Sequence, residues 1–118
     1  MKFGLAFANS GLNALPANAA HLARTAERVG FESLWTVEHP VIPTGYQSTY
    51  PYNPSGRIPG GEDFDIPDPL VWLAFVAAHT STIRLATGIL ILPMRNTLIT
   101  AKEVATLDQL SGGRVTLG

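Results

Sequence analysis

The chain has 118 residues, enough for one modest domain with its own core. Eight Lys and Arg stand against nine Asp and Glu in a charged fraction of only 14%, which argues against a nucleic-acid or anionic-membrane surface. There is no cysteine, so disulfide frameworks and thiol chemistry are excluded. Met1-Lys2 leads into an apolar segment too short for a signal-peptide core, and the longest apolar run, residues 70–78, is too short to span a bilayer. The expectation is a soluble, cytoplasmic protein.

Phe3, Leu5 and Phe7 alternate with Gly4, Ala6 and Ala8, a pattern that predicts a buried first strand. Asn9, Ser10 and Gly11 open a loop. A helix follows from Pro16 or Asn18 to Val29, with Ala19, Leu22, Ala26 and Val29 on one stripe, and Gly30 ends it. Residues 31–37 read as the second strand. Residues 40–67 carry six prolines and four glycines together with Tyr46, Tyr50, Tyr52 and Phe64. A segment this long and this aromatic predicts a loop on the substrate side, the other reading being a surface insertion that only covers the barrel rim.

Asp68-Pro69 is a helix start, with a capping carboxylate before a proline at the first helical position. That helix, to about Thr80, is apolar nearly all round, so it needs a second partner besides the sheet. The aliphatic run 83–92 predicts a buried third strand bounded by Pro93. Asn96 or Thr100 caps the third helix, and Thr100-x-x-Glu103 has the form of a capping box. Leu98, Ala101, Val104, Leu107 and Leu110 give it a broad apolar face. Gly112 and Gly113 stop it, and residues 114–117 begin a fourth strand. Strands alternating with helices imply a parallel sheet with right-handed crossovers. Two architectures fit: a small doubly wound sheet, or the opening half of a (β/α)8 barrel, which needs about 250 residues.

In a barrel the active site lies at the carboxyl edge of the strands, and Glu38-His39 falls at that edge of the second strand. An imidazole there serves as general acid or base near neutral pH, and Glu38 can hold charge or accept a hydrogen bond. Gly88 interrupts a bulky strand, which marks a bulge, a close ligand approach, or tight helix–sheet packing. His21 and His79 are scattered on predicted helices without zinc-site spacing, so no metal site is expected. Gly-rich nucleotide fingerprints and a Gly-x-Ser-x-Gly turn are absent. Arg84, Arg95 and Arg114 are the candidates for phosphate, although Arg84 and Arg114 both begin strands.

Two segments, ATGILILP at residues 86–93 and KEVATLDQLSGGRV at residues 102–115, are similar to the luciferase-like monooxygenase family. Within it they most resemble the oxidoreductases that use the deazaflavin coenzyme F420. The resemblance covers nearly the whole chain and decides between the two architectures. It implies a (β/α)8 TIM barrel of which residues 1–118 form the N-terminal half, ending inside the fourth strand. It implies coenzyme F420, or alternatively FMN, and hydride transfer or monooxygenation of a small organic substrate. His39 matches the family histidine that sits by the flavin ring and acts in proton transfer, and Glu38 matches the acidic residue before it. Pro40 departs from the aromatic or histidine that often follows. The resemblance also implies a bulge with a cis peptide between Gly88 and Ile89 against the ring, flanked by Thr87, and a phosphate grip drawn from later strands.

A homodimer through the second and third helices is implied as well, for which the large apolar side chains Trp72 and Phe75 are the expected anchors. The rival expectation is a half-barrel that self-associates without catalysis.

Overall fold

A computed structural model describes all residues, 1–118. Four strands form one sheet: β1 (Gly4–Leu5), β2 (Ser33–Thr36), β3 (Arg84–Thr87) and β4 (Val115–Thr116). Three helices alternate with them: α1 (Pro16–Arg28), α2 (Pro69–Ala77) and α3 (Thr97–Ser111). Short 3-10 turns at Gly11–Ala14 and Leu92–Met94 follow β1 and β3. Every pairing is parallel and the spatial order is β1-β2-β3-β4. A doubly wound sheet reverses direction at a switch point. Here each crossover steps the same way, so right-handed connections place all three helices on one face. That is the winding of a barrel.

The local signals act as their chemistry requires. Asp68 caps α2 by accepting the backbone N–H of Leu70 at 2.9 Å and of Val71 at 3.0 Å. Of the two candidate caps for α3, Asn96 serves, accepting Ile99 N–H at 3.0 Å. Thr100 lies buried one turn inside the helix. Gly112 ends α3 at φ 73°, a left-handed conformation that costs a side-chain-bearing residue about 1–2 kcal/mol. The strands are shorter than the aliphatic runs that announce them, because pairing in β3 stops at Thr87.

The core lies between sheet and helices. Leu34 of β2 and Leu85 of β3, paired across the sheet, meet Ala23, Leu73, Val76 and Ile83. Each large aliphatic side chain removed from water there contributes about 1.5–3 kcal/mol.

Two expectations fail. Phe3 and Phe7 are 60% and 65% exposed, because β1 is a two-residue edge strand and both residues lie beyond its ends. Trp72 is only 4% exposed and belongs to the core of its own chain, its indole N–H donating to Asn13 O at 2.9 Å. It therefore cannot anchor a second subunit. The large hydrophobic residues exposed on α2 are Val71 and Phe75, and on α3 Leu98, Ile99 and Leu110.

The amino edge of the sheet is braced by charge. One oxygen of Glu27, at the end of α1, accepts the N–H groups of Ser81, Thr82 and Ile83 and the Thr82 hydroxyl. Burial pushes this carboxyl up, but those four donors more than offset it and hold its pKa at about 2. Arg114 is buried and donates to the carbonyls of Ala77, Thr80, Ile83 and Ser111 and to the Thr80 hydroxyl. It closes the carboxyl ends of α2 and α3 and has no hydrogen left for phosphate from solvent. Burial lowers its pKa, and Glu27 opposes that.

Candidate active site

At the opposite, carboxyl edge the chain leaves each strand through polar contacts that aim the next residues. Asn9, fully buried after β1, accepts Val37 N–H at 2.9 Å and donates to Val37 O at 2.8 Å and Pro67 O at 2.9 Å. It ties the exits of β1 and β2 to the end of the long loop. From the sequence Asn9 reads only as a loop opener, since its partners are 28 and 58 residues away. Beyond Thr36, Gly88 N–H still donates to Thr36 O at 2.8 Å, so the exits of β2 and β3 remain side by side.

Glu38 and His39 follow β2 at this edge, the first with a buried side chain and the second exposed. The Glu38 side chain is 5% exposed. Its Oε1 accepts Arg95 Nε–H at 2.9 Å and Nη2–H at 2.5 Å, and its Oε2 accepts Ile91 N–H at 2.5 Å. Arg95 also pairs with Asp68, the cap of α2. Burial opposes the charge on Arg95, but Glu38 and Asp68 together raise its pKa above the ordinary guanidinium value. Three separate segments, the ends of β2 and β3 and the start of α2, are therefore joined by one ion-pair network of formal charge −1. Of the three arginines weighed for phosphate, Arg95 is already neutralised twice. Arg84 donates to Val115 O and Thr116 Oγ1 at the other edge.

His39 is exposed and forms the wall between two cavities. The first, about 300 Å³, is polar, with Glu38, Asp68 and Arg95 around it and Met94 on one side. The second, about 190 Å³, lies under the 42–58 segment and is lined by Tyr46, Tyr50, Ile42 and Ile58. His21 is exposed on α1, and His79 packs edge-on against Phe75 at 4.7 Å. Neither is part of this edge.

Gly88 and Ile89 are exposed at the exit of β3, Ile89 to 63%, and the peptide bond joining them is cis. A Cβ on Gly88 would lie 3.0 Å from Trp35 Cε3, and one on Gly4 would lie 2.7 Å from Trp35 Nε1. The Trp35 indole, held by its N–H donated to Ser33 Oγ at 2.9 Å, thus lies across the two glycines. Tryptophan packing, rather than a helix, explains the missing side chain at Gly88. Thr87, expected to bind cofactor, is fully buried. Its hydroxyl donates to Gly118 O at 3.1 Å and accepts Gly118 N–H at 3.0 Å, so it braces β3 against the chain beyond β4.

This edge brings together an exposed aliphatic side chain, Ile89, the bare backbone of Gly88 and the exposed imidazole of His39 on the neighbouring strand exit. It offers no free cation for a phosphate.

A parallel sheet wound in sequence order is the winding of the first half of a (β/α)8 barrel. The family model for luciferase-like monooxygenase matches residues 1–118, and the chain belongs to that family. Over 119 aligned residues it is 40% identical to an uncharacterized protein of Mycobacterium tuberculosis, covering 100% of this chain and 41% of that protein. It therefore spans about two-fifths of the length of that relative, and it corresponds to the N-terminal part of its relatives.

Among solved structures it resembles the monooxygenase RslO1 from Streptomyces bottropensis at 31% identity and a TM-score of 0.69. That match covers 100% of this chain and 32% of that one. It also resembles the coenzyme F420 dependent tetrahydromethanopterin reductase from Methanopyrus kandleri at 30% identity and a TM-score of 0.69. There the match covers 99% of this chain and 26% of that one. No helix is long and apolar enough to cross a membrane.

Proposed function

We propose that residues 1–118 form the N-terminal half of one barrel domain of a flavin- or deazaflavin-dependent oxidoreductase. It acts on a small organic substrate in the cytoplasm, and its cofactor is coenzyme F420, with FMN as the alternative. The observation that carries this reading is the pairing of exposed His39 with exposed Gly88 and Ile89 on adjacent strand exits of the active edge. A likeness at 30% identity to a reductase described as F420-dependent supports the deazaflavin. A likeness at 31% to a monooxygenase keeps the flavin alternative in play.

When bound, the cofactor supplies the two-electron chemistry that side chains lack. Gly88 and Ile89 support its ring face. His39 exchanges a proton with the reacting substrate at an imidazole nitrogen. Glu38 is a positioning residue: with Arg95 and Ile91 N–H on its two oxygens, it holds the β3 exit against β2 rather than moving protons.

The test is titration of the purified protein with coenzyme F420 and with FMN, followed by turnover of His39→Ala. Cofactor affinity is expected to stay within a few-fold while turnover falls about 10²–10⁴-fold, the range for loss of a general acid or base. Near-normal turnover in the variant would remove His39 from the chemistry. The rival reading, a self-associating half-barrel without catalysis, draws support from the exposed Val71, Phe75, Leu98 and Leu110. A colourless oligomer that takes up neither cofactor would favour it.

A further inference from the structure

The 190 Å³ cleft on the loop side of His39 is chemically unlike the polar cavity on the other side. No carboxylate, lysine or arginine lines it. It is lined by Ile42, Ile58, Tyr46, Tyr50 and two prolines, together with the hydroxyl residues Ser48 and Thr49 and with His39. We propose that this cleft is the substrate subsite, and that it takes a neutral molecule built on a single apolar ring whose one polar group faces His39.

Three features of the structure carry the assignment. The first is size: an apolar cavity of about 150 Å³ accommodates a benzene ring. The present cleft, at about 190 Å³, therefore has room for one six-membered ring with a small substituent.

The second is charge. An anion placed here would lose its hydration without gaining a cationic partner, a cost that drives charged groups out of apolar sites. The nearest guanidinium in the loop, Arg57, is committed to the loop itself. It stacks 4.7 Å from the Tyr46 ring centroid and donates to Tyr46 O.

The third is preorganisation. Tyr46 is held from both ends, since its hydroxyl accepts Ile58 N–H at 2.9 Å while Arg57 covers its ring. Tyr50 N–H donates to Gly56 O at 2.8 Å, and Glu62 accepts Gly45 N–H at 2.9 Å. Gly11 N–H donates to Asp65 O at 2.8 Å, which ties the far end of the loop to the first barrel turn. A loop fixed at these points presents a ready-made wall, and a ligand entering it pays little ordering entropy.

The subsite rests on the reading of this edge as the reaction site, so its test separates the two. The probes are cyclohexanone, a neutral ring with one carbonyl, and cyclohexanecarboxylate, its charged counterpart. Binding is measured by ligand-observed NMR on the protein with and without coenzyme F420 or FMN. Cyclohexanone is expected to bind at about millimolar or tighter, within reach of a ligand of this size. The carboxylate is expected to bind at least about tenfold more weakly.

Ile42→Trp, which fills the cleft, and Ser48→Asp, which puts a charge on its wall, should each weaken cyclohexanone at least about tenfold. Both should leave cofactor affinity and the circular dichroism spectrum as in the parent. Equal affinity for the two probes, no binding of either, or unchanged cyclohexanone affinity in both variants overturns the subsite. Cyclohexanone binding that is lost in the variants, in a protein that takes up neither cofactor, leaves the cleft standing and overturns the cofactor reading instead.

Discussion

Glu27 offers the sharpest test of the forces that hold the sheet, because its stabilising effect has a sign, a size and a pH window. In the unfolded chain its carboxyl titrates near the ordinary 4.5; folded, it is held at about 2 by three backbone N–H groups and one hydroxyl on a single oxygen. At 1.36 kcal/mol per pH unit that depression is worth at most about 3 kcal/mol. The side chain is only partly shielded from water, which reduces it to about 1–2 kcal/mol.

The group's folded pKa is lowered, so its contribution is fully present above pH 4.5 and is lost as pH falls from there toward 2, where the unfolded chain binds the extra proton. Glu27→Gln keeps the shape but loses the charge and turns an amide toward four donors. Thermal melts of parent and variant from pH 7 to pH 2.5 should show the variant several degrees lower at pH 7. The gap should close at acid pH. A gap that stayed constant down to pH 2.5, or no gap at pH 7, would refute the assignment of this stability to the charged carboxylate.

The remaining predictions concern the active edge and the outer helices. Arg95→Met leaves the Glu38 carboxylate buried with one donor and should cost about 3–5 kcal/mol in urea denaturation. The double variant Glu38→Gln/Arg95→Met should recover part of that loss, and a purely additive pair would dismiss the coupling. Gly88→Val drives a branched side chain toward Trp35 Cε3, 3.0 Å from the new Cβ. It should cost about 1–3 kcal/mol of stability and lower cofactor affinity at least about tenfold; unchanged affinity would mean that β3's exit does not support the ring. If α2 and α3 form a homodimer interface, Val71→Glu with Phe75→Glu should dissociate it in light scattering. Trp72→Glu should instead unfold the chain, because that side chain lies in the core.

Much of this molecule is written in short-range signals. Asp68-Pro69 starts α2, Asn96 caps α3 and Gly112 ends it, because each acts on backbone groups a few residues away. The alternation of strand and helix followed from the apolar runs, and the segments 86–93 and 102–115 carried the family. His39 was legible as an edge residue from its place after the second strand.

What sequence could not decide was direction and partnership across long separations. α2 is apolar all round, so its pattern left open which side met the sheet; packing buried Trp72 and left Val71 and Phe75 outside. Glu38 and Arg95 are 57 residues apart, and only the closing of β2, β3 and α2 onto one another turned a catalytic candidate into half of a buried ion pair. The same holds for Thr87, whose hydroxyl bonds Gly118, 31 residues away. The two unlike cavities on either side of His39 exist only because a 28-residue loop folds back on hydrogen bonds of its own. Such contacts are set by the tertiary geometry of the whole sheet, which local propensity does not encode.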